Sequence, residues 1–334
     1  MITRSLRLQQ PPRWQILLAQ AITDPEQLLR ELKLPQSLLP AAVRASSAFK
    51  LRVPRGFLAR MRQGDPQDPL LRQILPLGEE LRSVPGYSAD PLAELDTMPA
   101  AGLLHKYQGR VLLTLTGACA IHCRYCFRRH YPYNDANPTR EQGQTIDYLR
   151  HQTEVTEVIL SGGDPLTLSD TRLAGLVSAI ETIDHVKRLR IHSRVPVVLP
   201  ERVDPSLLEW MSATRLQIVL VIHSNHANEL DAHVDRAMNQ LRQAGITLLN
   251  QSVLLRGIND RRDSLIELSE RLAEAGVLPY YLHQLDPVQG AAHFSVSDQS
   301  ARLVVEEMRR QLPGYLVPRL VREHPGQASK SPLY

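Results

Sequence analysis

Cys119, Cys123 and Cys126 are the only thiols in this 334-residue chain, and they stand together in "GACAIHCRYCFRRHYPY" (117–133) at the spacing C-x3-C-x2-C. Three thiolates this close in sequence hold a soft metal centre, and two kinds fit. One is a Cys3His zinc site completed by His122 or His130. Structural zinc usually takes two ligand pairs separated by a longer stretch, however, and no second pair exists here. The other is a [4Fe-4S] cluster in which three irons are anchored and the fourth is left open. An open coordination position is what lets a metal centre bind a small molecule.

A second reactive group lies far from the first. Only five of the 39 basic residues are lysines, at 33, 50, 106, 187 and 330, so a lysine with a chemical role has few candidates. Lys330 falls in "EHPGQASKSPLY", behind an extended apolar run, "YLVPRLV" (315–321), and a glycine turn. It is either a solvated tail residue or a primary amine on a docked segment, the group that an imine with pyridoxal phosphate (PLP) requires.

The elements that must position these groups are legible in the periodicity. Strand-like runs occur at 110–116, 154–161, 186–193, 216–223, 246–255 and 278–285, with helical stretches near 139–151, 170–182, 204–212, 227–244 and 260–275. Six β-α units imply parallel strands joined by helical crossovers. Polar residues gather at the strand C-termini: the cysteine loop, "SGGDP", "HSR", "HSNH", "NQS" and "HQLD". An open doubly wound sheet also gathers ligands there, but the even recurrence favours an α/β fold that is a partial (β/α)6 barrel with one mouth. Residues 1–107 read as helical segments broken by prolines, with starts at Asp24-Pro25 and Asp68-Pro69 and a connector at 82–100. The expected division is a helical region over 1–107, the barrel over 108–290, and a C-terminal segment over 291–334 carrying Lys330.

C-x3-C-x-aromatic-C after the first barrel strand, followed one unit later by "SGGDPL" (161–166), resembles the radical S-adenosylmethionine (SAM) superfamily. Taken by itself, "SGGDPL" reads rather as a glycine turn leading into a helix, and its place one unit after the cysteines reverses that. The resemblance implies that the open iron binds the amino and carboxylate groups of SAM, and that electron transfer cleaves the sulfonium to a 5′-deoxyadenosyl radical. It assigns the methionine amino group to Gly162, Gly163 and Asp164, and further SAM contacts to Tyr125, His223, Gln251 and the Ser193-Arg194 pair.

Within the superfamily, the lysine 2,3-aminomutases look especially similar from about residue 50 to the end. The likeness rests on "CRYCFRR", "SGGDPL", "RIHSRVPVVLP", "HSNHANE", "LNQSVLLRGIND", "LDPVQGAAHF" and the final P-G-x-x-S-K. It implies that Lys330 carries PLP, Arg110 grips the PLP phosphate and Arg128 clamps the substrate carboxylate. Asp286 and Glu323 would meet the terminal ammonium of lysine, Glu323 standing where clostridial members have aspartate. Two acids aimed at the substrate side chain suit L-lysine better than glutamate.

The wording of "CRYCFRRHYPY" and "LHQLDPVQGAAHF" resembles a short bacterial branch whose (R)-β-lysine a separate ligase attaches to elongation factor P. Such an enzyme draws on an electron donor such as flavodoxin or ferredoxin. Longer members continue into an extension associated with metal and assembly. This chain ends at Tyr334, so no such zinc and a different, weaker homo-oligomer are expected. The competing readings are an aminomutase for another amino acid or for a protein-bound lysine, and a non-catalytic iron–sulfur protein.

Composition narrows the field. The 43% hydrophobic content suits a sizeable core, and the net charge of +4 is dispersed arginine balanced by 35 acids, which argues against nucleic acid. No apolar run approaches a membrane span, and the opening "MITRSLRLQQPPRW" lacks a signal-peptide core, so a cytoplasmic protein is expected.

Overall fold

The computed structural model describes residues 11–133 and 142–334, so the expected helix near 139–151 begins outside the described residues. Nine strands form one sheet in sequence order. β1 (Leu103–Tyr107) turns at Gly109, whose φ is +78°, and runs antiparallel to β2 (Arg110–Thr114). Then β3 (Glu157–Ser161), β4 (Arg188–Ser193), β5 (Gln217–Ile222), β6 (Thr247–Val253), β7 (Leu278–His283) and β8 (Arg319–Arg322) follow, each parallel to the one before. β9 (Ser331–Pro332) closes back antiparallel on β8. Among the described residues β1 and β9 do not pair, which makes this a partial barrel.

All six expected strands are present, and the structure corrects the reading at both ends. Leu103–Tyr107 lies in the region read as helical, yet it is a strand, because the Gly109 turn folds it onto β2. The C-terminal segment also supplies a seventh parallel strand, β8.

Three longer helices precede the sheet, α1 (Arg13–Ala19), α2 (Pro25–Glu31) and α3 (Leu39–Ala48), followed by single turns of helix at Arg55–Leu58 and at Pro69–Arg72, the second capped by Asp68. The crossovers are α4 (Gln142–His151), α5 (Asp170–Glu181), α6 (Pro205–Ala213), α7 (Ala232–Gln243) and α8 (Arg262–Glu274), and α9 (Asp298–Gln311) leads into β8. Aspartates start several of them: Asp24 accepts from the Glu26 amide, Asp204 from Leu207 and Asp231 from His233 and Val234. Each supplies an acceptor to otherwise orphaned amides, and Pro25 and Pro205 contribute a preset φ. Among the described residues no helix is long and apolar enough to cross a membrane.

Side chains alternate along each strand. Val158, Leu160, Leu189 and Ile191 are fully buried in the hydrophobic core. Their neighbours Glu157, Ile159, Arg190 and His192 line an interior cavity. The N-terminal helices share the barrel's core rather than standing apart, with Trp14, Leu28 and Phe57 in the same cluster as Leu189 and Leu220. Arg60 seals the joint with Asp231 at 2.9 Å and with the carbonyls of Val197 and Glu229, each at 2.7 Å.

Candidate active site

The cavity, about 530 Å³, is lined by every site residue singled out from the sequence except Ser193 and the zinc-ligand candidate His130. The three cysteines and Lys330, more than 200 residues apart in the chain, share it. β2 delivers the cysteine loop and β8 with β9 delivers Lys330.

The glycine loop after β3 is hydrogen-bonded to the cysteine loop. Gly163 donates its amide to Thr116 O at 2.6 Å, and Asp164 donates to Ala118 O at 2.8 Å. This contact explains the glycine pair. Gly162 has φ +118°, and a Cβ at Gly163 would lie 2.4 Å from Ala118 O. No side chain fits there while the loops stay joined.

Asp164 is not free to take a ligand amine as expected. Ser193 Oγ and the Leu166 amide donate to Oδ1 at 2.7 and 3.1 Å, and the Arg194 and Val195 amides donate to Oδ2 at 2.7 and 3.1 Å. Four donors fill its acceptor positions. Burial pushes the carboxyl up to about 6 against these hydrogen bonds. Ser193 accordingly lies behind Asp164, off the cavity wall.

Arg194 crosses from β4 to the cysteine loop. Its Nη1 donates to Cys123 Sγ at 2.7 Å and to Tyr125 Oη at 2.8 Å, while Nη2 donates to Gln73 at 2.6 Å and Glu229 at 2.9 Å. Asn225 also donates to Tyr125 Oη, at 2.6 Å. Tyr125 is thereby tied down by its hydroxyl while its ring lines the cavity. Behind the loop, Arg124 is fully buried and pairs with Glu80, which also pairs with Arg129 at 2.8 Å.

These residues fit an iron–sulfur cluster better than zinc. Burial, and then the neighbouring thiols, push Cys119 well up and Cys126 to about 11, so thiolates there need a compensating metal charge. Each histidine that would complete a zinc site has one ring nitrogen on a backbone carbonyl, His122 Nδ1 on Lys50 O at 2.8 Å and His130 Nε2 on Gln289 O at 3.2 Å, so the test is whether the other nitrogen converges with the thiols. Among the described residues no three His, Cys, Asp or Glu side chains converge on one ion. A cluster does not ask for that, since its thiolates bind separate irons.

The opposite wall is an alternating chain of charge. Arg128 donates to Glu94 through Nε at 2.6 Å and Nη2 at 2.9 Å, and to Ser161 Oγ through Nη1 at 3.0 Å. Lys106 lies 3.2 Å from Glu94 and 3.1 Å from Glu323, which also pairs with Lys330. Burial favours protonated Glu323, but Lys330 and Lys106 outweigh it and hold the carboxyl down at about 2. Glu323 is therefore already satisfied by two cations, and Arg128 keeps only its outer edge for a substrate.

Besides Asp164, whose partners are amides and a hydroxyl, two charged groups on the wall lack opposite partners among the described residues. Arg110 carries no acid and stacks 4.4 Å from the Tyr107 ring. Asp286 has no cation or side-chain donor, and burial followed by repulsion from Glu323 raises it to about 7. An anion suits the first and an ammonium the second, which fits the phosphate and amine ends of PLP-bound lysine.

His223 lines the cavity, and burial lowers it to about 3 with its Nε2 unpartnered. Gln251 lines it from β6. Sequence reasoning missed Glu94, Lys106, Glu157, Arg190, His192 and His283, all on the wall. The signal for Glu157, Arg190 and His192 was the polar alternation inside "EVILS" and "RLRIHS", where every second residue faces inward.

Comparison with known proteins follows the geometry. A profile described as the Radical SAM superfamily matches residues 113–269. The chain is 50% identical to an L-lysine 2,3-aminomutase of Escherichia coli, covering 96% of this chain and 94% of that one. It is 45% identical to the protein of that name from Buchnera aphidicola over 99% and 98% of the two chains, and 44% identical to that of Haemophilus influenzae over 95% and 94%. Identity at this level along nearly the full length of each relative places the chain in the L-lysine 2,3-aminomutase family of the radical SAM superfamily.

Proposed function

We propose that this protein is an L-lysine 2,3-aminomutase that uses a [4Fe-4S] cluster, SAM and PLP to convert L-lysine to β-lysine. The observation that carries the reading is the single cavity shared by the three cysteines, Lys330, unpaired Arg110 and unpaired Asp286. When bound, the cluster and SAM would supply reversible hydrogen-atom abstraction at lysine C3, and PLP would supply the conjugation that stabilises the radical during the shift of nitrogen from C2 to C3.

The chain's own residues hold and orient. Cys119, Cys123 and Cys126 anchor three irons. The Gly162-Gly163 backbone, drawn close by its bonds to the cysteine loop, presents carbonyls to the SAM amino group, and Tyr125, His223 and Gln251 bound the same end. Arg110 would hold the PLP phosphate, and Lys330 would supply the amine that anchors the cofactor. Arg128, oriented on one edge by Glu94, offers its outer edge to the substrate carboxylate. Asp286, on the wall with Glu323, receives the terminal ammonium. Enclosure keeps water and oxygen from the radicals.

The finer reading gives the product the R form and elongation factor P as its destination, through a separate ligase. A flavodoxin or ferredoxin would reduce the cluster of a cytosolic, homo-oligomeric enzyme. Support comes from the likeness of "CRYCFRRHYPY" and "LHQLDPVQGAAHF" to the short bacterial branch.

The test is anaerobic reconstitution with iron, sulfide, PLP, SAM and reductant, followed by chiral product analysis on lysine. (R)-β-Lysine is expected. No β-lysine from a fully loaded cluster sinks the aminomutase reading, and no deoxyadenosine favours a passive iron–sulfur protein. An imine that persists in Lys330→Ala refutes the Lys330 assignment alone.

A further inference from the structure

Lys106, near the end of β1, is the only lysine besides Lys330 among the residues lining the cavity. Its ammonium sits between two carboxylates, 3.2 Å from Glu94 Oε1 and 3.1 Å from Glu323 Oε1. Each acid is also committed elsewhere, Glu94 to Arg128 and Glu323 to Lys330. The five charges alternate in one connected chain, Arg128–Glu94–Lys106–Glu323–Lys330. The three inner side chains are 15% exposed or less, so a missing cation would leave an acid uncompensated where water screens poorly.

We propose that Lys106 is a positioning residue that pins Glu323 as the shared counter-ion of Lys330 and thereby sets how tightly the Lys330–PLP imine holds its proton. The proposal rests on the reading of Lys330 as the PLP lysine. In forming that imine, the neutral amine of Lys330 adds to the PLP aldehyde carbon and one water leaves, so Lys330 no longer presents a permanent ammonium to Glu323. Lys106 is then the full cation that remains on that carboxylate. Its presence offsets the pull of Glu323 on the imine proton, and its removal leaves that pull unopposed.

The other groups facing this pair do not substitute for it. Tyr107 hydrogen-bonds Glu323 as a neutral phenol, held above its ordinary range by burial and by that carboxylate. His192 and His283 are kept neutral by burial, and the charge of Lys330 bears on both. Arg110 lies over the Tyr107 ring, and Asp286 is an acid.

The test is a pH titration of the imine absorbance in the full chain reconstituted with PLP. In Lys106→Met the pH at which the imine loses its proton should rise by about one unit or more, and Lys106→Arg should restore the parent titration. An unchanged or lowered value in Lys106→Met, or Lys106→Arg behaving like Lys106→Met, overturns the proposal. Glu323→Gln carries the same test with the opposite sign, a fall of similar size, and serves if Lys106→Met takes up no PLP. An unmoved titration there also overturns it. Lys330→Ala is run alongside: an imine that survives it refutes the reading of Lys330, which separates that failure from a failure of Lys106.

Discussion

Arg194 donates from Nη1 to the sulfur of Cys123 at 2.7 Å while its backbone amide donates to Asp164 Oδ2 at 2.7 Å, so one residue joins the cysteine loop to the glycine loop. Arg194 is 4% exposed and its guanidinium is held by Gln73 and Glu229, so it cannot swing away from the sulfur without breaking a buried network. A cation donating to a cluster thiolate stabilises the more negative, reduced state. Arg194→Gln should therefore move the cluster midpoint potential to a more negative value, read by EPR-monitored titration of the reconstituted protein. A potential equal to that of the parent would show that the contact does not tune the cluster.

Gly163 and Gly175 offer a matched pair. A Cβ at Gly163 meets Ala118 O at 2.4 Å, whereas one at Gly175, inside α5, meets nothing within 4 Å. Gly163→Ala should destabilise by about 1–3 kcal/mol and lower the iron bound per chain, because the two loops must part. Gly175→Ala should leave iron content unchanged and stabilise by about 0.5–1 kcal/mol. Thermal melts and iron assay check both.

Asp286 makes a pH-dependent contribution of known sign. Its folded value, about 7, lies above the ordinary 3.8. The folded chain therefore holds this proton more tightly than the unfolded chain, so the contribution is complete below the ordinary value and is lost as pH rises through about 7. Asp286→Asn in the ligand-free protein should flatten this slope and melt higher than the parent above that pH. Lysine binding needs the charged form, so affinity should improve through the same window in the parent but not in Asp286→Asn. That variant should bind lysine roughly 30-fold more weakly, from about 2 kcal/mol for a lost buried charge pair.

Glu80 holds two buried arginines, Arg124 and Arg129, against the back of the cysteine loop. Glu80→Gln leaves both cations uncompensated and should cost about 3–5 kcal/mol, seen in denaturant unfolding of the apo-protein. A change within experimental error would mean that water reaches the pair.

Much of the fold was legible because its determinants are local. Strand and helix periods, and the Asp-Pro starts at 24–25 and 68–69, depend on neighbours within a few residues. The misreadings have the opposite character. Leu103–Tyr107 carries no strong strand signal and is a strand because Gly109 folds it onto β2. The segment Arg319–Arg322 became the seventh parallel strand because β7 offered a free edge. Glu94, in a proline-punctuated connector, reads as a solvated charge until Arg128, 34 residues on, is brought against it.

The sequence by itself determined which chemistry the chain can host. Three cysteines at one spacing, a glycine pair one unit later and a scarce lysine near the end are properties of residue type and order. Tertiary structure alone decided which charges neutralise one another. Glu323 answers to Lys106 and Lys330, Arg128 answers to Glu94, and Asp286 and Arg110 have no opposite charge paired with them among the described residues. Ion pairing depends on distance and burial, and both are set only when strands more than 200 residues apart in the chain come to enclose one cavity.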